Sequence, residues 1–333
     1  HPALSMNDEF ANFELFTELL ISNGKQGKVE GSYVRDAFGN GVRLQVEKGF
    51  NPFKFGLVGA TDFHAGISAV EEDNSTSTTG DIARSAPTQA TRLSVLSTPA
   101  EARSISGLTA VWAAKNTREE IFAAFRRREV YATTGTRLRV RFFGGWNYPT
   151  DLAHRSDRIA VAYASGVPMG RTLEKAGAQA PRFLVWASKD PNSGNLDRIQ
   201  IIKGWTEDGT SREKIYNVAL SDDRVTATDG TAPPVGNTVD VRRASYTNDI
   251  GDAELSAVWE DPDFDPSTPA FYYVRVLEIP TPRWTTHDAA MRGTSLPKGV
   301  PASIQERAYT SPIWYQPQDM LKNAQSNSTA DRG

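Results

Sequence analysis

Beyond Trp146 the chain is a series of short apolar runs set between clusters of Asp, Gly, Pro and Asn, and this spacing commits its second half to β-sheet. Residues 158–162, 182–187, 198–202 and 271–277 are the clearest runs, five to seven residues each, which is ordinary strand length. They predict a sandwich-like module or an added antiparallel sheet. Arg275 stands between Val274 and Val276, so alternation gives that strand one wet or ion-paired face. The segment Asp261-Pro262-Asp263-Phe264-Asp265-Pro266 lacks the Gly and distal Glu of a calcium loop and reads as an acidic turn.

The first half is of a different kind. Residues 7–21 repeat apolar side chains (Phe10, Phe13, Leu15, Phe16, Leu19, Leu20) at helical spacing behind an Asn/Asp cap, and a second helix is predicted within residues 31–48. The near-continuous apolar run 53–61 predicts a strand buried on both faces, as in a barrel covered by helices. Residues 66–106 are rich in Ser, Thr, Ala and Pro and include the polar tract Glu71-Glu72-Asp73; an active-site rim and an inert insertion fit equally. Thr117-Arg118-Glu119-Glu120 has the form of a capping box opening a helix that would bury Ile121, Phe122, Ala124 and Phe125 and end at Arg126-Arg127-Arg128. Those cations suit a helix C-terminus, with phosphate capture as the alternative. Residues 130–137 return to extended structure, and residues 318–333 form a polar, flexible tail.

Chemistry concentrates in few places. Asp62-Phe63-His64 ends the 53–61 run, and in extended backbone residues two apart share a face, so a carboxylate and an imidazole point one way. The pair is a candidate half-site for a divalent metal, against the plainer reading of a loop Asp beside a surface His. The 333-residue chain has no Cys and four His, so any metal is held by His, Asp, Glu or backbone oxygen, and neither a disulfide framework nor a thiol nucleophile is available. No Gly-x-Ser-x-Gly elbow supports acyl transfer. Thr133, Thr134 and Arg137 are placed to bind an anionic substrate or to form a polar turn at Gly135. Arg283, His287 and Asp288, after Pro280-Thr281-Pro282, reach a cleft or make a rigid packing corner. A net charge of -3 gives no basic footprint for nucleic acid, and no apolar run approaches the ~20 residues of a membrane span.

A series of longer words then carries a resemblance. Asn7-Asp8-Glu9-Phe10-Ala11, Gly31-Ser32-Tyr33-Val34-Arg35, Asn51-Pro52-Phe53-Lys54-Phe55-Gly56, Thr61-Asp62-Phe63-His64, Arg126-Arg127-Arg128-Glu129-Val130-Tyr131-Ala132-Thr133-Thr134-Gly135, Pro280-Thr281-Pro282-Arg283-Trp284 and Gln305-Glu306-Arg307-Ala308-Tyr309-Thr310-Ser311-Pro312-Ile313-Trp314-Tyr315 together resemble the bacterial family called domain of unknown function 3604. That family is similar to the polymerase and histidinol phosphatase (PHP) superfamily of metal-dependent hydrolases. The resemblance implies an α/β fold: the C-terminal part of a distorted PHP-like β/α barrel over residues 1–145, followed by a β-rich extension over 146–317. Asp62 and His64 match the superfamily's final metal motif. The earlier motifs would lie upstream of His1, so an upstream segment or companion chain is expected to complete the barrel.

The implied activity is hydrolysis at two or three divalent ions, zinc, manganese or iron, that activate a water. A phosphate ester is the first substrate class, with Arg137, Thr134, Arg283 and His287 as candidates for gripping phosphate or protonating the leaving group. Two alternatives stand beside it. One is a metal-dependent hydrolase or lyase acting on a non-phosphate substrate; the other is a non-catalytic glycan- or partner-binding module using exposed aromatics among Trp146, Trp205, Trp259 and Trp284. The absence of Cys and the family's bacterial setting point to the periplasm or outside, with the cytoplasm as the alternative.

Overall fold

Residues 1–15, 17, 25–61, 70–74, 107–174, 179–296 and 298–317 are described by a computed structural model. The chain is mixed α/β, rich in sheet and sparing in helix. Its organiser is β10 (Ala270–Glu278), whose nine residues are all buried. Even positions Tyr272, Val274 and Val276 enter one core while Phe271 and Tyr273 enter another, as the two-residue period of a strand requires.

On one edge β10 pairs antiparallel with β7 (Leu196–Glu207), which pairs in turn with β8 (Thr210–Leu220). Its other edge is shared by β14 (Ile313–Gln316) and β13 (Arg307–Thr310). Beyond β13 lie β2 (Val130–Thr133) and β1 (Leu108–Val111); beyond β14 lies β5 (Thr172–Glu174), the parallel neighbour in this eight-stranded, curled sheet. A four-stranded antiparallel sheet of β4 (Gly166–Pro168), β3 (Arg139–Gly145), β6 (Arg182–Ser188) and β9 (Glu254–Glu260) packs on it. Val140, Phe142, Phe183 and Val185 of the small sheet meet Ile199, Ile201, Tyr272 and Val274 of the large one in a common core. Strands from both sides of residue 145/146, the expected domain division, therefore share both sheets.

Helices cover the outer faces. α1 (Val34–Lys48) sets Phe38 and Val42 against Ile202, Phe271, Tyr273 and Trp314, with the Trp314 ring edge-on to Phe38 at 5.4 Å. It ends at Gly49, whose left-handed φ of 80° a side chain would strain. The Thr117 hydroxyl caps α2 (Arg118–Arg127) by accepting from the Glu120 amide. α3 (Arg158–Ser165) closes a third core with Tyr148, Leu152, Phe143 and Leu184. No helix among the described residues is long and apolar enough to cross a membrane.

The N-terminal segment is fastened by arginines. Asp8 accepts a two-pronged hydrogen bond from Arg275 at 2.7 and 2.9 Å, with both side chains 1% exposed, and pairs with Arg35 of α1 at 2.8 Å. Arg198 of β7 reaches Glu9 at 2.9 Å, and Arg283 reaches Glu14 at 2.7 Å. The Phe10 ring lies under the guanidinium groups of Arg198, Arg275 and Arg307 at 5.0, 5.2 and 6.0 Å. Arg275 is thus ion-paired on its face, as the alternation of β10 predicted.

Several expectations give way. Residues 1–15 form successive turns rather than the start of a helix over 7–21, because the apolar Phe10 and Phe13 are spent under arginines and not on a helical stripe. Residues 158–162 belong to α3 rather than a strand: Ile159 and Ala162, three apart, face the Leu152 cluster, and the alternate alanines tolerate a helix. The run 53–61 forms no strand ladder. Side-chain hydroxyls hold it instead, Ser311 accepting from the Leu57 amide at 3.0 Å and Thr109 bonding both polar groups of Gly59. It is not buried on both faces, since Val58 is 62% exposed. In α2 only Ala124 is buried, and Phe122 is 65% exposed. The 318–333 tail lies outside the described residues.

Burial opposes charge on Asp8, yet the hydrogen bonds and charge of Arg275, joined by Arg35, hold its carboxyl well below the usual carboxylate range. A depressed carboxyl contributes stability above its unfolded value near ~4 and loses that contribution as pH falls. Asp8→Ala leaves a guanidinium buried without its partner and should cost about 3 to 5 kcal/mol in urea unfolding at pH 7. The variant should also lack most of the wild type's loss of stability below pH ~4; a cost under about 1 kcal/mol would refute the clamp.

Candidate functional site

The sequence Pro280-Thr281-Pro282-Arg283 forces extended backbone immediately before a helix. β11 (Thr281–Pro282) pairs with β12 (Ser303–Ile304), and α4 (Trp284–Arg292) starts at the corner. Arg283, in the cap position, makes no side-chain cap. The role falls to Glu72, in a short 3-10 turn (Glu72–Asn74) that packs on α4 and whose carboxyl accepts from the Trp284 amide. A carboxyl at a helix N-terminus both satisfies an orphan donor and meets the positive end of the dipole.

Around that contact lies a buried acidic network. The Glu72 and Glu306 carboxyls are near enough to oppose each other's charge, and Thr134 donates its hydroxyl to Glu306. Thr134 also accepts from the Arg307 amide at 2.9 Å. Glu278 of β10 accepts from the Ser193 hydroxyl, while its second oxygen, Oε1, has no hydrogen bond. Burial raises all three carboxyls: Glu306 to about 7, Glu278 to about 8, and Glu72 well above its usual value, with Glu306 and Glu14 reinforcing the rise. Neighbouring carboxyls in a poorly solvated site oppose each other's ionisation.

On the outer side of Glu72 opens a cavity of about 480 Å³ lined by Glu72, Asp73, Arg242, Arg243, His287 and Asp288 among others. His287, on the second turn of α4, is half-buried; burial lowers its imidazole pKa, partly opposed by Asp73. It is therefore neutral near pH 7 and able to exchange a proton.

The four residues proposed for the substrate fall around one stretch, Glu71-Glu72-Asp73. Arg137 is exposed and pairs with Glu71 at 3.0 Å; His287 shares the cavity with Glu72 and Asp73. Thr134 and Arg283 sit deeper. Thr134 is bonded to Glu306, and Arg283, 1% exposed, binds Glu14 and donates to the Thr285 hydroxyl at 3.2 Å. Asp62 and His64 lie outside the described residues. Among the described residues no group of three or more His, Asp or Glu is arranged to hold a metal ion. Sequence reading missed Glu14, Glu72, Glu278, Glu306, Arg242 and Arg243. Glu72 stood in a tract that fitted rim or insertion equally, and Glu306 stood inside a family word without a chemical signal of its own.

Carboxyls raised in the folded state favour folding fully below their unfolded value near ~4.5, and that contribution is lost as pH climbs through 7 to 8. Stability to urea should fall by more than about 2 kcal/mol between pH 5 and pH 8.5, and Glu306→Gln or Glu278→Gln should flatten the slope. Parallel slopes for both variants and the wild type would remove the network from the explanation.

No curated protein and no solved structure matches this chain. A family model does match, over residues 1–317, spanning the arginine clamp, both sheets and the Glu72 cavity. The chain belongs to the family described as protein of unknown function, DUF3604.

Proposed function

We propose that this chain contributes the site of a metal-dependent hydrolase, with phosphate esters as its first substrate class and a PHP-like β/α barrel as the setting of its first 145 residues. The observation that carries the reading is positional. Glu72, eight residues after His64 in the sequence, forms a cavity wall with His287, and that cavity is furnished with proton-exchanging and cationic groups.

Asp62 and His64 would hold the metal. Their donor set, one carboxylate and one imidazole without thiolate, fits zinc, manganese or iron. Bound divalent ions supply an activated water and positive charge against the developing charge of the reacting ester. The chain's own residues do the rest. His287 exchanges a proton with the leaving group, Arg137 stands exposed to meet an anion, and Thr134 and Arg283 position Glu306 and Glu14. The Glu72–Glu306 pair fixes the turn beside His287 through the helix cap.

A non-phosphate ester or related bond remains the second reading, because Asp73 and Asp288 also face the cavity and do not favour a dianion. The glycan-binding alternative has less support. Trp146, Trp205 and Trp259 are half-buried around the common core and Trp284 is 6% exposed, so none is among the fully exposed aromatics that the alternative calls for.

Metal analysis of the purified protein should find at least one equivalent of divalent ion. Asp62→Ala and His64→Ala should each lower turnover by at least about 100-fold, given that even a residue supporting a ligand costs 10 to 100-fold. A panel of aryl phosphomonoesters, phosphodiesters and carboxylic esters with added Mn or Zn separates the substrate classes. Less than one equivalent of metal, with unchanged activity in Asp62→Ala, would end the hydrolase reading.

A further inference from the structure

We propose that Arg242 and Arg243, on the turn facing α4, form an anion-recognition element that holds the charged group of the ligand entering the Glu72 cavity. The inference rests on the cavity being the substrate cavity and is independent of the metal chemistry.

The cavity has two unlike walls. One, from the 3-10 turn and α4, carries Glu72, Asp73, His287 and Asp288; the other carries Arg242, Arg243 and Ala244. The basic wall is pre-formed. Asp240 and Ser245 bond one another's backbone in both directions, at 2.8 and 3.2 Å, closing residues 241–244 into a tight loop. The Asp240 carboxylate accepts from the amides of Arg242 and Arg243 at 3.0 and 3.2 Å, and Ala244 is held at a left-handed φ of 49°. A non-glycine residue at that angle persists only where its surroundings enforce it.

The side chains, unlike the backbone, are exposed and held by little. Arg243 is 83% exposed and makes one long pair, 3.8 Å to Asp240, and Arg242 has no ion pair among the described residues. Elsewhere in this chain the arginines facing cores are tied up: Arg275 with Asp8, Arg283 with Glu14, Arg198 with Asp197 and Glu9. Two exposed guanidinium groups on a rigid loop, lining the same cavity as an imidazole, suit one anionic group such as phosphate, sulfate or carboxylate, since a planar fork meets such oxygens two at a time. Because the other lining residues are acidic, the ligand is held in one orientation, its anion toward the loop and its uncharged end toward Asp73 and His287.

The test is titration of chelator-treated full chain with inorganic phosphate, sulfate and acetate, followed by calorimetry and by the His287 imidazole signal in NMR. At least one anion should bind and shift His287. Arg242→Ala and Arg243→Ala should each weaken that binding about tenfold, as expected for a charge-assisted hydrogen bond, while Arg155→Ala, in an exposed pair with Asp157, leaves it unchanged. Which anion binds tightest names the charged group of the substrate. Absence of binding, or binding that survives Arg242→Ala/Arg243→Ala together in a variant with wild-type unfolding behaviour, overturns the proposal. Since metal is removed, failure here leaves the Asp62 and His64 test of the hydrolase reading untouched.

Discussion

The Asp8–Arg275 pair is the constraint around which the rest is arranged. An arginine in the middle of a strand buried on both faces is tolerable only if a carboxylate is delivered to it, and the carboxylate comes from the far end of the chain. The turns of residues 1–15 follow from that demand. They bring Asp8 to Arg275, Glu9 to Arg198 and Glu14 to Arg283, and lay Phe10 beneath three guanidinium groups. The outer face of the large sheet is thus apolar where α1 covers it and ionic where the N-terminal segment does.

The same segment reaches the acidic network. Glu14 neutralises Arg283 immediately before α4, while Glu72 caps α4. The helix carrying His287 is therefore oriented by two acids from distant parts of the chain. Both determine where the imidazole stands.

How much of this was legible follows the range of the interactions involved. The β6, β7 and β10 runs, α1 and the Thr117 cap were readable because period and capping are local properties. Residues 158–162 misled because alternating Ala with Ile and Val satisfies strand and helix patterns alike, and only packing on Leu152 decides. Residues 53–61 misled because an apolar run does not reveal that hydroxyls from Thr109 and Ser311 will take its amides. Near the cavity, Thr134, Arg137, Arg283 and His287 were singled out from their side-chain chemistry. Their glutamate partners were not, since Glu14, Glu72, Glu278 and Glu306 look like surface acids until tertiary structure buries them together.

The clamp also has a consequence in time. Asp8 and Arg275 are 267 positions apart, and the Arg307 guanidinium that bonds the Phe10 carbonyl comes 297 positions after it. At synthesis rates of roughly 5 to 20 residues per second, Asp8 and Glu14 wait on the order of 15 seconds to a minute for Arg275 and Arg283. Contacts this distant in sequence are closed slowly in any chain. Ordering of α4 on Glu14 and Glu72 thus belongs among the last events of biogenesis, and a ribosome-bound nascent chain ending before β10 holds Asp8 without Arg275 and Glu14 without Arg283.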